Sequence, residues 1–285
     1  SGRKLKRSGD ITAKSGYKIN VGGNKNYGFV VSNSGHSSKF SSTTVDDLLY
    51  SVDKINHGRG INEGEISVTG TNSIGFALIK GGNSSNSGKI TVGDKAEDSI
   101  GFYGKEDNFA NSGTIQVTSS KDKNKAIVLD GTNATNKINF TNTGNVYVNT
   151  ADNSNTNLIG TGNIGIYAQG NYKFDHNSGT VKAGTNAIAF YVKDATGQVN
   201  IKAPIVLSNS GTGANAGTTI GIYSDGNAKV NFGQNSKLTI GKGAVGLYSS
   251  DATKFSNTFK VVSGKSLEVE LGKNSTFGLL SGSIG

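Results

Sequence analysis

NIGIYAQGN, residues 163–171, returns almost unchanged as TIGIYSDGN at residues 219–227. The core of the phrase recurs along the whole chain as NYGFVV (26–31), SIGFAL (73–78), SIGFYG (99–104), AIVLDG (126–131), NIGIYA (163–168), AIAFYV (187–192), TIGIYS (219–224), AVGLYS (244–249) and TFGLLS (276–281). Successive copies start 24 to 47 residues apart, as expected of a constant unit with insertions in its loops. Two further phrases interleave with it. One is an Asn-Ser/Thr-Gly turn leading into a short alternating run, as in NSGKITV (86–92), NSGTIQV (111–117) and NTGNVYV (142–148). The other is shorter, as in KINF (137–140), QVNI (198–201) and KVNF (229–232).

Runs of four to six β-branched and aromatic residues between Gly, Asn and Ser turns read as strands, and nothing in the repeats has the 3.6-residue period of a helix. Three strands per repeat, stacked repeat on repeat, predict an all-β solenoid: a single-stranded parallel β-helix of about nine coils over residues 1–285. At ~4.8 Å per coil the rod is about 40 Å long. Positions two and four of the phrase share parity, so both are expected in the core, with the small third position facing out. Asn33, Asn86, Asn111, Asn142, Asn177 and Asn209 precede Ser or Thr and then Gly, and are expected to form turns whose amides bond from coil to coil. Residues 32–62 form an insertion. Within it TTVDDLLYSVDKI predicts a short helix near 43–56, with Thr44 as cap and Val45, Leu48, Leu49, Val52 and Ile55 on one face.

Composition narrows the chemistry. The chain has no Cys, so it holds neither disulfides nor thiolate metal sites. Its charge of +9 comes from scattered lysines, with arginine only at Arg3, Arg7 and Arg59, which is unlike a nucleic-acid reader. The absence of Met and the opening Ser1-Gly2 predict a processed fragment. No segment is apolar and long enough to be a transmembrane helix. His36, His57 and His176 fall in separate loops and are expected to be exposed. Parallel β-helices include polysaccharide-degrading enzymes, which gather carboxylates in one groove. Here Asp46-Asp47, Asp130, Asp194, Asp225 and Asp251 are dispersed, so no catalytic residue, metal site or cofactor is expected.

The fifth position of the phrase reads Tyr167, Tyr191, Tyr223 and Tyr248 in four successive copies. Either the rings cover one another, or they form an aromatic strip that holds a sugar chain or a partner protein. The strip and the insertion residues Tyr50, His57 and Arg59 are the candidate binding residues.

The alternation of SIGFYG, NIGIYA and AVGLYS with NSGTIQV-type turns resembles the passenger repeats of large fusobacterial type V autotransporter adhesins of the RadD type. The resemblance covers essentially the whole chain. It implies a right-handed β-helix on the outer surface of a bacterium, carried by a C-terminal outer-membrane β-barrel of the same polypeptide. It also implies attachment to a protein or glycan receptor on other bacteria or host cells. The alternatives are a polysaccharide-degrading β-helix enzyme and a purely structural spacer. The family offers no common binding motif to place on these residues.

Overall fold

The computed structural model describes residues 10–32, 58–150, 160–194, 196–213, 217–225 and 227–280. They form 27 strands, β1 to β27 in chain order, in three parallel sheets of nine. Each strand pairs with the strands three before and three after it, so every three strands close one coil of a parallel β-helix. The first coil is β1 (Ile11–Ala13), β2 (Lys18–Val21) and β3 (Tyr27–Val31). The last is β25 (Phe259–Val261), β26 (Leu267–Leu271) and β27 (Thr276–Leu280). The helix expected over 43–56 lies outside the described residues. The short helix that is described, α1 (Phe255–Thr258), precedes β25.

Parallel pairing in register stacks like on like. One column runs Val21, Val68, Val92, Val117, Val148, Ala183, Leu207, Ile240 and Leu271. Phenylalanines form a spine: Phe29 on Phe76 at 4.7 Å, Phe109 on Phe140 at 5.3 Å and Phe140 on Phe174 at 5.1 Å between ring centroids. A β-branched or aromatic side chain buried from both sides in this way contributes about 1.5–3 kcal/mol.

The structure corrects the expected facing of the repeat. Positions four and six enter the core, as in Phe76 and Leu78, but position two does not. Ile74 instead packs with Ala77 and Ile79 in a separate outer cluster, against Tyr27, Val30, Ile100 and Tyr103. Position three faces inward: a Cβ on Gly101 would meet the Ala126 carbonyl oxygen at 2.7 Å and the Ile115 side chain at 3.2 Å. Where alanine stands at this position, as in Ala126 and Ala189, it is a buried core residue. The ladder pairs Ile164 with Ile188 and Ile166 with Phe190, passing over Gly165 and Ala189. Alternation therefore breaks at position three, as at a bulge, and the parity argument fails on its N-terminal side.

Two copies of the phrase are also shifted from their expected alignment. Ile127, not Leu129, pairs with Phe102 and Ile166, which puts Lys125 at position two and Val128 at position five. In the last coil Thr276 pairs with Val245 and Leu279 with Tyr248. This one-residue shift puts Leu279 at the outward fifth position, while Phe277, at position three of the last described strand of its sheet, is 38% exposed.

The expected asparagine ladder exists, but inside the rod. Asn62, Asn86, Asn111 and Asn142 are fully buried, and each Nδ2 donates to the next Oδ1 at 2.7 Å. The second Nδ2 proton of each goes to the glycine carbonyl two residues on, which sets the orientation of every amide. Asn33 lies outside the described residues, and Asn209 serves elsewhere, accepting from the Lys242 N–H. In place of Asn177 the next rung is His176. It is fully buried, contrary to the expectation of an exposed loop histidine; His36 and His57 lie outside the described residues. Asn142 Nδ2 is 3.1 Å from its Nδ1, so Nδ1 accepts and Nε2–H donates to the Pro204 carbonyl at 3.2 Å.

Asn111→Ala should orphan a buried donor and a buried acceptor and cost about 2–3 kcal/mol, read as a lowered denaturant midpoint. The histidine makes stability acid-sensitive. Burial lowers its pKa from 6.5 to about 4, so between these values the unfolded chain binds a proton that the folded chain does not. Stability should fall as pH drops from about 6.5 to about 4, by up to about 3 kcal/mol. His176→Asn should continue the ladder and remove this part of the pH dependence, as measured by unfolding at several pH values.

Candidate functional site: an outward tyrosine column

Tyr167, Tyr191, Tyr223 and Tyr248 pair in register on successive coils. The strand spacing of ~4.8 Å holds their rings near stacking distance without further constraint. The centroids are 5.4, 4.5 and 4.8 Å apart and the rings lie within 27° of parallel. The rings cover one another, and each keeps a partly exposed edge. Tyr103 continues the column after a gap, because the position between it and Tyr167 belongs to Val128.

The hydroxyls form a polar line along the column. The Tyr191 and Tyr223 hydroxyls lie close enough to influence each other's ionisation, and Ser250 adjoins that of Tyr223. Tyr167 donates to Gln169 Oε1 at 2.8 Å, and Gln169 Nε2 donates to Asp130 Oδ1 at 3.0 Å. Tyr103 donates to the other Asp130 oxygen at 3.3 Å. Desolvation, with repulsion between neighbouring phenolates, raises the pKa of both Tyr191 and Tyr223. These phenols are neutral at physiological pH and serve as hydrogen-bonding groups rather than nucleophiles.

Position two supplies what sequence reasoning missed. Ile164, Ile188, Ile220 and Val245 precede the four tyrosines by three residues and lie outside the main core cluster. The outer face therefore carries a partly exposed tyrosine row beside an aliphatic row that is partly exposed at Ile188 and Ile220 and buried at Ile164 and Val245. In the pairing that the structure sets, Lys125 stands at position two, and its amine reaches the Lys123 carbonyl at 2.9 Å on the surface; AIVLDG as aligned from sequence leaves this lysine outside the phrase and so hides the signal.

The other candidates are not brought to this band. Tyr50 and His57 lie outside the described residues. Arg59 is committed to Asp10, its Nε donating to Oδ1 at 3.0 Å, which ties the second coil to the first. The carboxylates considered for catalysis hold the backbone. Asp194 accepts from the Gly170 N–H at 2.7 Å, Asp225 from the Asn227 N–H at 3.0 Å and Asp251 from the Thr253 N–H at 3.0 Å. Asp130 lies within β12 (Lys125–Gly131); Asp46 and Asp47 lie outside the described residues. Among the described residues, no group of three or more His, Cys, Asp or Glu side chains is placed to hold a metal ion.

A rigid apolar platform edged with neutral hydroxyls suits a ligand that offers C–H faces and scattered hydrogen-bonding groups, such as a glycan, or an extended polypeptide. No protein-family model matches the chain, and neither does any curated protein or solved structure.

Alkaline titration followed by phenolate absorbance should show Tyr191 and Tyr223 ionising above the ordinary value of 10.0. The unfolded chain loses these protons first, so stability should fall as pH rises through and beyond that value. The Tyr191→Phe/Tyr223→Phe variant keeps the stack and should lose this part of the alkaline sensitivity.

Proposed function

We propose that this chain is a passenger segment of a surface-displayed autotransporter adhesin, a rod that attaches its bacterium to other bacteria or to host cells. The observation that carries the reading is the pairing of nine coils in one register, with the variation in repeat length falling between the described strands. Such a rod transmits length and presents side chains at a regular spacing without needing a cleft. The outer tyrosine band is the contact surface on this reading, and the receptor is a glycan or protein on the opposing cell. The rod belongs outside the cell, held at the outer membrane by a β-barrel of the same polypeptide.

A second reading, a spacer that holds another segment away from the membrane, is favoured by the mutual covering of the tyrosine rings. The two readings separate on one comparison. The chain and its Tyr167/Tyr191/Tyr223→Ser variant are tested on a glycan array and for adherence to bacterial and epithelial cells, with circular dichroism confirming the fold. An adhesive band predicts binding by the chain that drops about ten-fold or more in the variant. Undiminished binding removes the band from the reading, and no binding by either protein favours the spacer.

A further inference from the structure

The outer face of the tyrosine sheet carries a third row. Two residues after the fifth position, on the same face, the third to eighth coils read Lys105, Asp130, Gln169, Lys193, Asp225 and Ser250. Asp130 pairs with Gln169 in the ladder, and the Lys193 and Asp225 N–H groups, donating to the Ala168 and Val192 carbonyls, carry the same register onward. Ser250 is exposed and the other five are partly exposed. The charges are ordered about Gln169. One direction along the rod meets Asp130 and then Lys105, and the other meets Lys193 and then Asp225.

This order is self-complementary under a two-fold rotation. With the axis running along the outer side of β15 (Ile164–Gly170), a second copy lies face to face and the two rods are antiparallel. Each row then faces the same row of the second copy, and coils equally far from β15 on opposite sides meet. Lys193 meets Asp130 of the second copy, Lys105 meets its Asp225, and each contact occurs twice. In the tyrosine row, Tyr191 meets Val128, the position at which the column lacks a ring, and Tyr223 meets Tyr103. In the aliphatic row Ile100 meets Ile220. Lys125, the one charge of that row in these coils, meets Ile188 and keeps its amine on the Lys123 carbonyl. Moving the axis half a coil one way sets Lys105 on Lys193, and half a coil the other way sets Asp130 on Asp225. The row thus selects one register.

We propose that this face docks on the same face of a second copy, antiparallel, with Gln169 at the symmetry axis. The inference rests on the reading of the tyrosine row as the contact surface, and it names the partner of that surface. Rods rooted on opposing cells point towards each other and so meet antiparallel. The surface lies wholly on interior coils. Five coils by six residues cover roughly 20 Å by 20 Å, about 400 Å² per copy, which is about half of what a stable pair buries. One pair is therefore weak, and many pairs between two cells hold by avidity.

Sedimentation velocity on the whole 285-residue chain, from micromolar to millimolar concentration, should show a monomer passing to a dimer and to nothing larger, because a two-fold contact closes on itself. Lys193→Glu and Asp130→Lys each set like charges across the axis, and each variant alone should pair about ten-fold or more weakly than the parent. Mixed in equal amounts they should pair as the parent does, since each supplies the charge that the other lacks. Val128→Tyr keeps every charge, continues the ring column within the rod and should block pairing by meeting Tyr191. Circular dichroism confirms the fold of each variant. A parent that stays monomeric throughout overturns the inference. So do charge variants that pair alone as the parent does, or folded ones whose mixture does not recover. Adherence to cells lacking the chain by a protein that never pairs overturns self-pairing alone and leaves the adhesive reading standing. Pairing without adherence to such cells upholds self-pairing and removes any other receptor from that reading.

Discussion

The structure depends on one constraint, the in-register parallel ladder between each coil and the next. Once that ladder forms, every side chain has a residue of its own column about 4.8 Å above and below it. Whatever type of residue is repeated is then forced into contact with itself. Valine and phenylalanine repeats become core stacks, an asparagine repeat becomes a hydrogen-bonded chain, and a tyrosine repeat becomes a stack of rings. Three chemically different columns thus follow from a single backbone geometry.

The same constraint explains the cost of each exception. A column tolerates a change of residue only if the newcomer meets the needs of both neighbours. His176 does so in the asparagine ladder, because its ring accepts at one nitrogen and donates at the other. Below it the column turns apolar, through Ile201, Phe232 and Val261. At the head of the ladder, Ala13 cannot donate, and the buried Oδ1 of Asn62 has no partner. Val128 interrupts the tyrosine column without disturbing the ladder, since backbone pairing does not need the ring.

Much of this was legible because repetition amplifies weak signals. One copy of NIGIYA could be a strand in many folds; nine copies, interleaved with Asn-Ser/Thr-Gly turns, leave few. The tyrosine column could be read residue by residue in the coils where the phrase is closest to its consensus. The frame is ambiguous where the copies are degenerate. AIVLDG and TFGLLS each offer several apolar frames, and local sequence does not choose among them. Only the pairing of Ile127 with Phe102 and of Thr276 with Val245 does.

The sequence by itself determined the number of coils, three strands to each, and the stacking of like residues, because these follow from periodicity and turn chemistry. Tertiary structure alone decided which residues face outward around the glycine of each phrase. There the chain bends beside the next coil, and the carbonyl of that coil, not strand parity, governs the direction of each side chain. The packing around His176 was likewise decided in three dimensions. The ladder that buries it joins residues 34 positions apart, and no local pattern records that contact.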